Sequence, residues 1–132
     1  MKKQKGQAVL EFALVLPFFL MLCFGILFAG LLFSDYLTLS NLARESARAA
    51  SIQGNDYYQA IQDAGKSQKL LTRLYSLNSI TIEDGDNSSV TVTLDVSRNN
   101  FPGAGFVGYM LPGNYKIVYS MYKEYQAPSS QL

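Results

Sequence analysis

Glu11 is the residue whose surroundings demand a chemical explanation. It lies between Leu10 and Phe12, at the start of the longest apolar run in the chain. An ionised carboxylate among apolar residues is costly unless a cation or water reaches it. Lys2, Lys3 and Lys5 form a short basic leader that ends at Gly6. If a protease cuts after Gly6, Gln7 becomes the first residue and carries a free α-amine. Glu11 then stands one helical turn along from that amine. The two groups can satisfy each other within a chain or between neighbouring chains, and between chains the pair would set the axial register of packed helices. The plainer reading leaves Glu11 solvated at a membrane interface.

Little else in the sequence suggests reactive chemistry. The 132 residues contain no His and one Cys. This argues against His-based acid/base work, most zinc sites and an intramolecular disulfide framework. The 11 Lys and Arg nearly balance 10 Asp and Glu, so the chain is not a strongly basic nucleic-acid binder. We expect no catalytic residues, no metal site and no cofactor. Gly103, Gly105 and Gly108 match G-x-G-x-x-G, but Pro112, Gly113 and a strand follow where a helix is required. Glu83, Asp84 and Asp86 lack the later Glu of a calcium loop and read as a solvated hairpin tip. Asn87-Ser88-Ser89 is a formal glycosylation sequon and nothing more.

The element that carries Glu11 is a candidate membrane helix. Phe12 to Phe33 is a run of 22 residues without a charge. As a helix it would be about 33 Å long, enough to cross a hydrocarbon core of about 30 Å. The three leader lysines have no acid among them, whereas Arg44 and Arg48 beyond the run flank Glu45. The positive-inside rule therefore puts the N-terminus in the cytoplasm and the following domain outside. Pro17 should kink or loosen the helix, and Gly25 with Ala29 forms a small-xxx-small pair that would permit close packing. Ordinary membrane-helix composition explains the same residues. Cys23 reads as a small hydrophobe. Two other readings of the run stay open: a permanent single-pass anchor that keeps its lysines, and a cleaved signal peptide with a mature start near residues 30–35.

Gly6-Gln-Ala-Val-Leu-Glu11-Phe12, continued by Ala-Leu-Val-Leu-Pro17, resembles the processing site and hydrophobic helix of type IV-like prepilins. More narrowly, it resembles the TadE-like minor pilins, or pseudopilins, of Tad/Flp tight-adherence secretion systems. Ser40-Asn-Leu-Ala-Arg44-Glu-Ser-Ala-Arg48-Ala-Ala is similar to that family's Ala/Arg-rich stretch just past the membrane. The resemblance implies that Gly6 is the cleavage-site glycine, Gln7 the new N-terminus and Glu11 the assembly carboxylate. Phe12, a candidate helix-packing residue, stands where major pilins of such systems tend to have Tyr, so the resemblance implies a minor rather than a major pilin. The chain would be the substrate of a membrane aspartyl prepilin peptidase and not itself an enzyme. Its implied partners are other pilin and minor pilin subunits, the inner-membrane assembly platform and membrane lipid. Its implied place is the cytoplasmic membrane or a pilus used in adhesion and secretion.

The remaining sequence predicts an α+β fold: a long membrane-spanning helix, then a second helix packed on a small three-stranded antiparallel sheet. The expected divisions are a leader at 1–6, a long helix at 7–53 containing the span 12–33, and a small exported domain at 55–132. Leu39, Leu42, Ala43, Ala47 and Ala50 recur at helical spacing, and Gly54 stops the helix. Glu45 and Arg48 are placed to pair. The second helix is expected to start with an Asp56–Gln59 capping box. It would carry Ile61, Ala64, Leu71 and Leu74 on one side, with Lys66, Lys69 and Arg73 as a basic face. Ile80 and Ile82, a turn at 84–88, and Val90, Val92, Leu94 and Val96 predict a hairpin. Tyr115 to Tyr125 is the third strand, after a Gly- and Pro-containing loop at 98–114.

Overall fold

The computed structural model describes residues 2–68, 70, 72–85, 88–100, 108 and 111–124, with side chains from Gly6 onward. Lys69, Leu71, Asp86, Asn87, Tyr125 and most of the loop containing Gly103 and Gly105 lie outside the described residues. Two compact units divide the chain, Met1–Phe33 and Ser34–Leu132.

The first helix, α1, spans Lys2–Gln53, with Pro17 inside it. It runs back through Gly6 into the leader and ends where Gly54 adopts φ 80°, a left-handed conformation that favours glycine. The Gly54 amide donates to the Ala50 carbonyl, closing the last turn. A 3₁₀ turn at Asn55–Tyr57 leads into α2, Tyr58–Ser67. Three strands follow: β1 at Tyr75–Gly85, β2 at Ser89–Arg98 and β3 at Asn114–Tyr122. They form an antiparallel meander in the order β1-β2-β3, so the α+β arrangement of two helices and three strands is as expected.

The core lies within the second unit. One face of the sheet brings together Val90, Val92, Leu94 and Val96 of β2, all fully buried, with Ile80 and Ile82 of β1. Fully burying each such side chain contributes about 1.5–3 kcal/mol. The part of α1 from Ser34 onward buries Leu39, Leu42, Ala43, Ala47 and Ala50, a stripe at helical spacing. Its contacts run the length of the sheet. Asp35 meets the start of β1, the Arg44 guanidinium sits 5.7 Å from the centre of the Tyr119 ring, and the Ser51 hydroxyl lies 3.7 Å from the Met121 sulfur. Gly65 of α2 is buried against Ile80, where an added Cβ would collide with the Ile80 side chain.

Several local expectations are corrected. The second helix stops at Ser67, and β1 begins at Tyr75 rather than near Ile80. A β-bulge between Leu77 and Ser79 shifts the pairing by one residue. Tyr75 and Leu77 on one side of the bulge, and Ile80 and Ile82 on the other, can thus share the core face. Without the bulge visible, Leu70, Leu74 and Leu77 fit a helical period. Arg73 lies beyond the helix, so it shares no helical face with Lys66. Ala64 is exposed and Gly65 takes the buried position. No side chain caps the 3₁₀ turn or α2, so the Asp56–Gln59 capping box does not form. Glu45 and Arg48 make no ion pair; among the described residues that contact is made by Lys123 and Asp84.

Asp35 ties these elements together. Its residue is 1% exposed, and its carboxylate accepts hydrogen bonds from the amides of Arg73 at 3.1 Å, Leu74 at 2.6 Å and Tyr75 at 3.1 Å. Replacing Asp35 with Ala strands these donors where water is scarce. We expect Asp35→Ala to destabilise the second unit by about 3 kcal/mol, and Asp35→Asn by less, because one carbonyl acceptor remains. Urea unfolding of the full chain in detergent, followed by tyrosine fluorescence, measures both. An Asp35→Ala midpoint matching the parent would remove Asp35 from this role.

Candidate functional site

The residues singled out for processing and assembly all lie on the apolar part of α1. From Gly6 to Ser34 every residue is exposed except Cys23, Phe28 and Leu32, which are half-buried. Phe12 is 67% exposed, and nothing lies within 4 Å of a Cβ placed on Gly6 or Gly25. The helix is long and apolar enough to cross a bilayer, and none of its most apolar window is buried within the chain. A surface apolar on all sides requires an apolar surrounding, supplied by lipid or by other helices. Pro17, Gly25 and Ala29 are exposed.

Glu11 is exposed, and no ion pair reaches it among the described residues. Gly6, Gln7 and Glu11 follow one another on the same helix, so an amine at residue 7 would be one turn from the carboxylate. The family model for TadE-like protein matches residues 6–48, about a third of the chain. These residues are similar to that family. The TadE-like segment begins at Gly6, contains Glu11 and the whole apolar run, and ends at Arg48. The match suggests a link to Tad pili, and the apolar helix it covers is long and apolar enough to cross a membrane. No curated protein and no solved structure matches the chain.

Beyond the TadE-like segment, the densest polar cluster surrounds Asp84 at the end of β1. Its carboxylate accepts from the Tyr58 hydroxyl at 2.6 Å and from the Asn55 amide at 2.6 Å, and it pairs with the Lys123 ammonium at 3.1 Å. These contacts join the 3₁₀ turn, α2, β1 and the chain after β3. Glu83 and Asp84 are exposed, as expected of a solvated tip, Asp86 lies outside the described residues, and Asp84 also clamps these elements together. Among the described residues, no group of three or more His, Cys, Asp or Glu could hold a metal ion. Neither Asp35 nor the Asp84 clamp was marked by sequence spacing, because their partners are backbone amides or residues distant along the chain.

The cluster has a pH signature. The Tyr58 hydrogen bond holds the Asp84 carboxyl below its ordinary value, with Lys123 and Asn55 adding to the effect and burial opposing it. Tyr58 is raised, by burial first and then by Asp84. Tyr115 is pushed up to about 12 by burial, assisted by Tyr75, Asp35 and Tyr36. A carboxyl held low favours folding above its unfolded value near pH ~4, and this contribution is lost as the pH falls through the lowered value. A raised tyrosine favours folding below about pH 10, and this is lost as the pH climbs towards its folded value. We expect the melting temperature of the second unit to plateau near neutrality and fall at both extremes. Asp84→Asn should shrink the acid limb, and Tyr58→Phe should shrink both. Circular-dichroism melts across pH test this, and limbs unchanged in both variants would refute it.

Proposed function

We propose that the chain is a non-enzymatic pilin-like structural subunit, processed by a prepilin peptidase after Gly6 and used to assemble or prime a Tad-type pilus. The observation that carries this reading is the TadE-like match that opens at Gly6 and includes Glu11 on an apolar helix that no described residue covers. In the proposed orientation Lys2, Lys3 and Lys5 face the cytoplasm, and the second unit lies outside the inner membrane. Cleavage exposes the Gln7 amine. That amine pairs with Glu11, within a chain or on a neighbouring subunit, where two charges in an apolar setting neutralise one another. An ion pair of this kind costs little when complete and much when broken, so it favours one axial register over others.

Removal of the leader also changes how the helix is held. The leader carries three of the 11 basic side chains; without them, eight basic residues face 10 acids. The mature helix lacks the cytoplasmic lysines that anchor it at the inner face, which eases its extraction into a filament. Its partners are other pilin and minor pilin subunits and the inner-membrane assembly platform, with lipid around the helix before assembly.

The intact mass and N-terminal peptide of the native protein, with and without the peptidase, test the proposal. A chain starting at Gln7 only when the peptidase is present is expected. A chain that retains Met1–Gly6 in both cases would instead make it a permanent single-pass protein with an extracytoplasmic binding or scaffolding domain. Glu11→Ala should leave cleavage largely intact and abolish productive assembly. Normal piliation of a Glu11→Ala strain would remove the assembly role of Glu11.

A further inference from the structure

We propose that Gln7 is a self-modification site once cleavage after Gly6 frees its amine, and that Glu11 holds it in the unmodified state. This rests on the proposed processing and gives Glu11 a second task. The residue type at position 7 sets the chemistry. A terminal glutamine carries a carboxamide within reach of its own α-amine. The neutral amine attacks the side-chain carbon Cδ. A bond forms from the α-nitrogen to Cδ, the Cδ–Nε2 bond breaks, and Nε2 leaves as ammonia with the proton that the amine gives up. The product is a pyroglutamyl terminus, in which a neutral five-membered lactam replaces a cation. The reaction consumes no oxidant, cofactor or second molecule.

In the uncut chain this route is closed, because the Gln7 nitrogen is an amide within α1. Cleavage makes it an amine and the first nitrogen of the helix, where N–H groups have no intrahelical carbonyl. Gln7 and Ala8 are exposed, so no described residue restrains the Gln7 side chain from curling onto its own amine. An α-amine titrates near pH ~8, so roughly a tenth is neutral and reactive at pH ~7. The positive end of the helix dipole disfavours a cation there and raises that share. Glu11 opposes it. It lies four residues along the helix, is exposed, and is the one titratable side chain between Gln7 and Cys23. A carboxylate one turn away favours the protonated amine, which has no lone pair to attack with. The pair thus preserves the cation that it needs. A mature chain whose amine stays unpaired closes its terminus and loses the group that Glu11 would hold in register.

The test uses the mature full chain, purified in detergent from cells that contain the peptidase, as the parent and as Glu11→Gln. No described residue covers position 11, and the variant keeps the side-chain size, so the fold does not depend on it. Both proteins are incubated at mildly alkaline pH, and the intact mass is followed for loss of one ammonia. The chymotryptic peptide Gln7–Phe12 locates the loss. We expect the parent to be open when isolated and Glu11→Gln to close about two- to fivefold faster, the span of an exposed ion pair. Equal rates in the two proteins, or a parent already closed on isolation, would overturn the protection by Glu11. A terminal peptide that keeps its ammonia in both proteins throughout would overturn the cyclisation. An intact mass that still includes Met1–Gly6 would overturn the processing itself, and this inference with it.

Discussion

The buried carboxylate of Asp35 is the constraint on which the second unit depends. Removing an ion from water costs several kcal/mol unless hydrogen bonds replace its hydration. Here three consecutive amides do so, and all three belong to the entrance of β1. The bond set fixes one point of α1 against one point of the sheet, and the remaining contacts follow from the two rises. The helix advances about 24 Å between Asp35 and Ser51. Tyr75 to Asp84, which is in register through Val90 with Met121, is nine steps of strand less one at the bulge, an advance of about 26 Å. A helix pinned at the start of β1 therefore reaches the far end of the sheet near residue 51, where the Ser51 carbonyl accepts from the Glu124 amide at 3.0 Å.

The same helix serves two surroundings. From Phe12 to Phe33 its side chains are apolar on every side. From Leu39 to Ala50 they are apolar along one stripe only, and several in that stripe are small. Ala43, Ala47 and Ala50 have short side chains, so the backbone can approach the β-branched and Leu residues of β2 closely. Larger residues would lift the helix from the sheet and break the geometry at Asp35. Among the described residues the apolar stretch has no such partner.

What the sequence made legible was periodicity and composition. The apolar run, the β2 alternation from Val90 to Val96 and the glycine after Gln53 each state their structure locally. The end of α2 was harder to read, because Leu71 and Leu74 extend the helical stripe of Ile61 and Ala64 and the bulge at Leu77–Ser79 hides the strand alternation. Glu11 was legible because its neighbours are the wrong environment for a charge. Asp35 was not, since an acid just after an apolar run resembles any first polar residue. Its partners are amides 38 to 40 residues away, and a backbone amide has no sequence signature. Asp84 was hidden for a related reason: acids near a hairpin tip usually face water, and only the fold brings Asn55, Tyr58 and Lys123 to it.

Two carboxylates thus bracket the apolar run and meet opposite circumstances. Asp35 is enclosed, with its hydrogen-bonding capacity taken up by its own chain. Glu11 is exposed at the other end, with no ion pair among the described residues. A folded monomer has no stability reason to place an acid there, because the positions around Glu11 bury nothing. In the proposed reading its partner is water at a bilayer face or a cation brought by processing and association. Water would suit any polar residue at that position. A paired amine would require an acid one turn from the new terminus, as Gln7 and Glu11 would supply after cleavage at Gly6. The cost of leaving that acid unpaired during helix packing is what would make it a register device, because mismatched axial offsets would desolvate the charge without returning a partner.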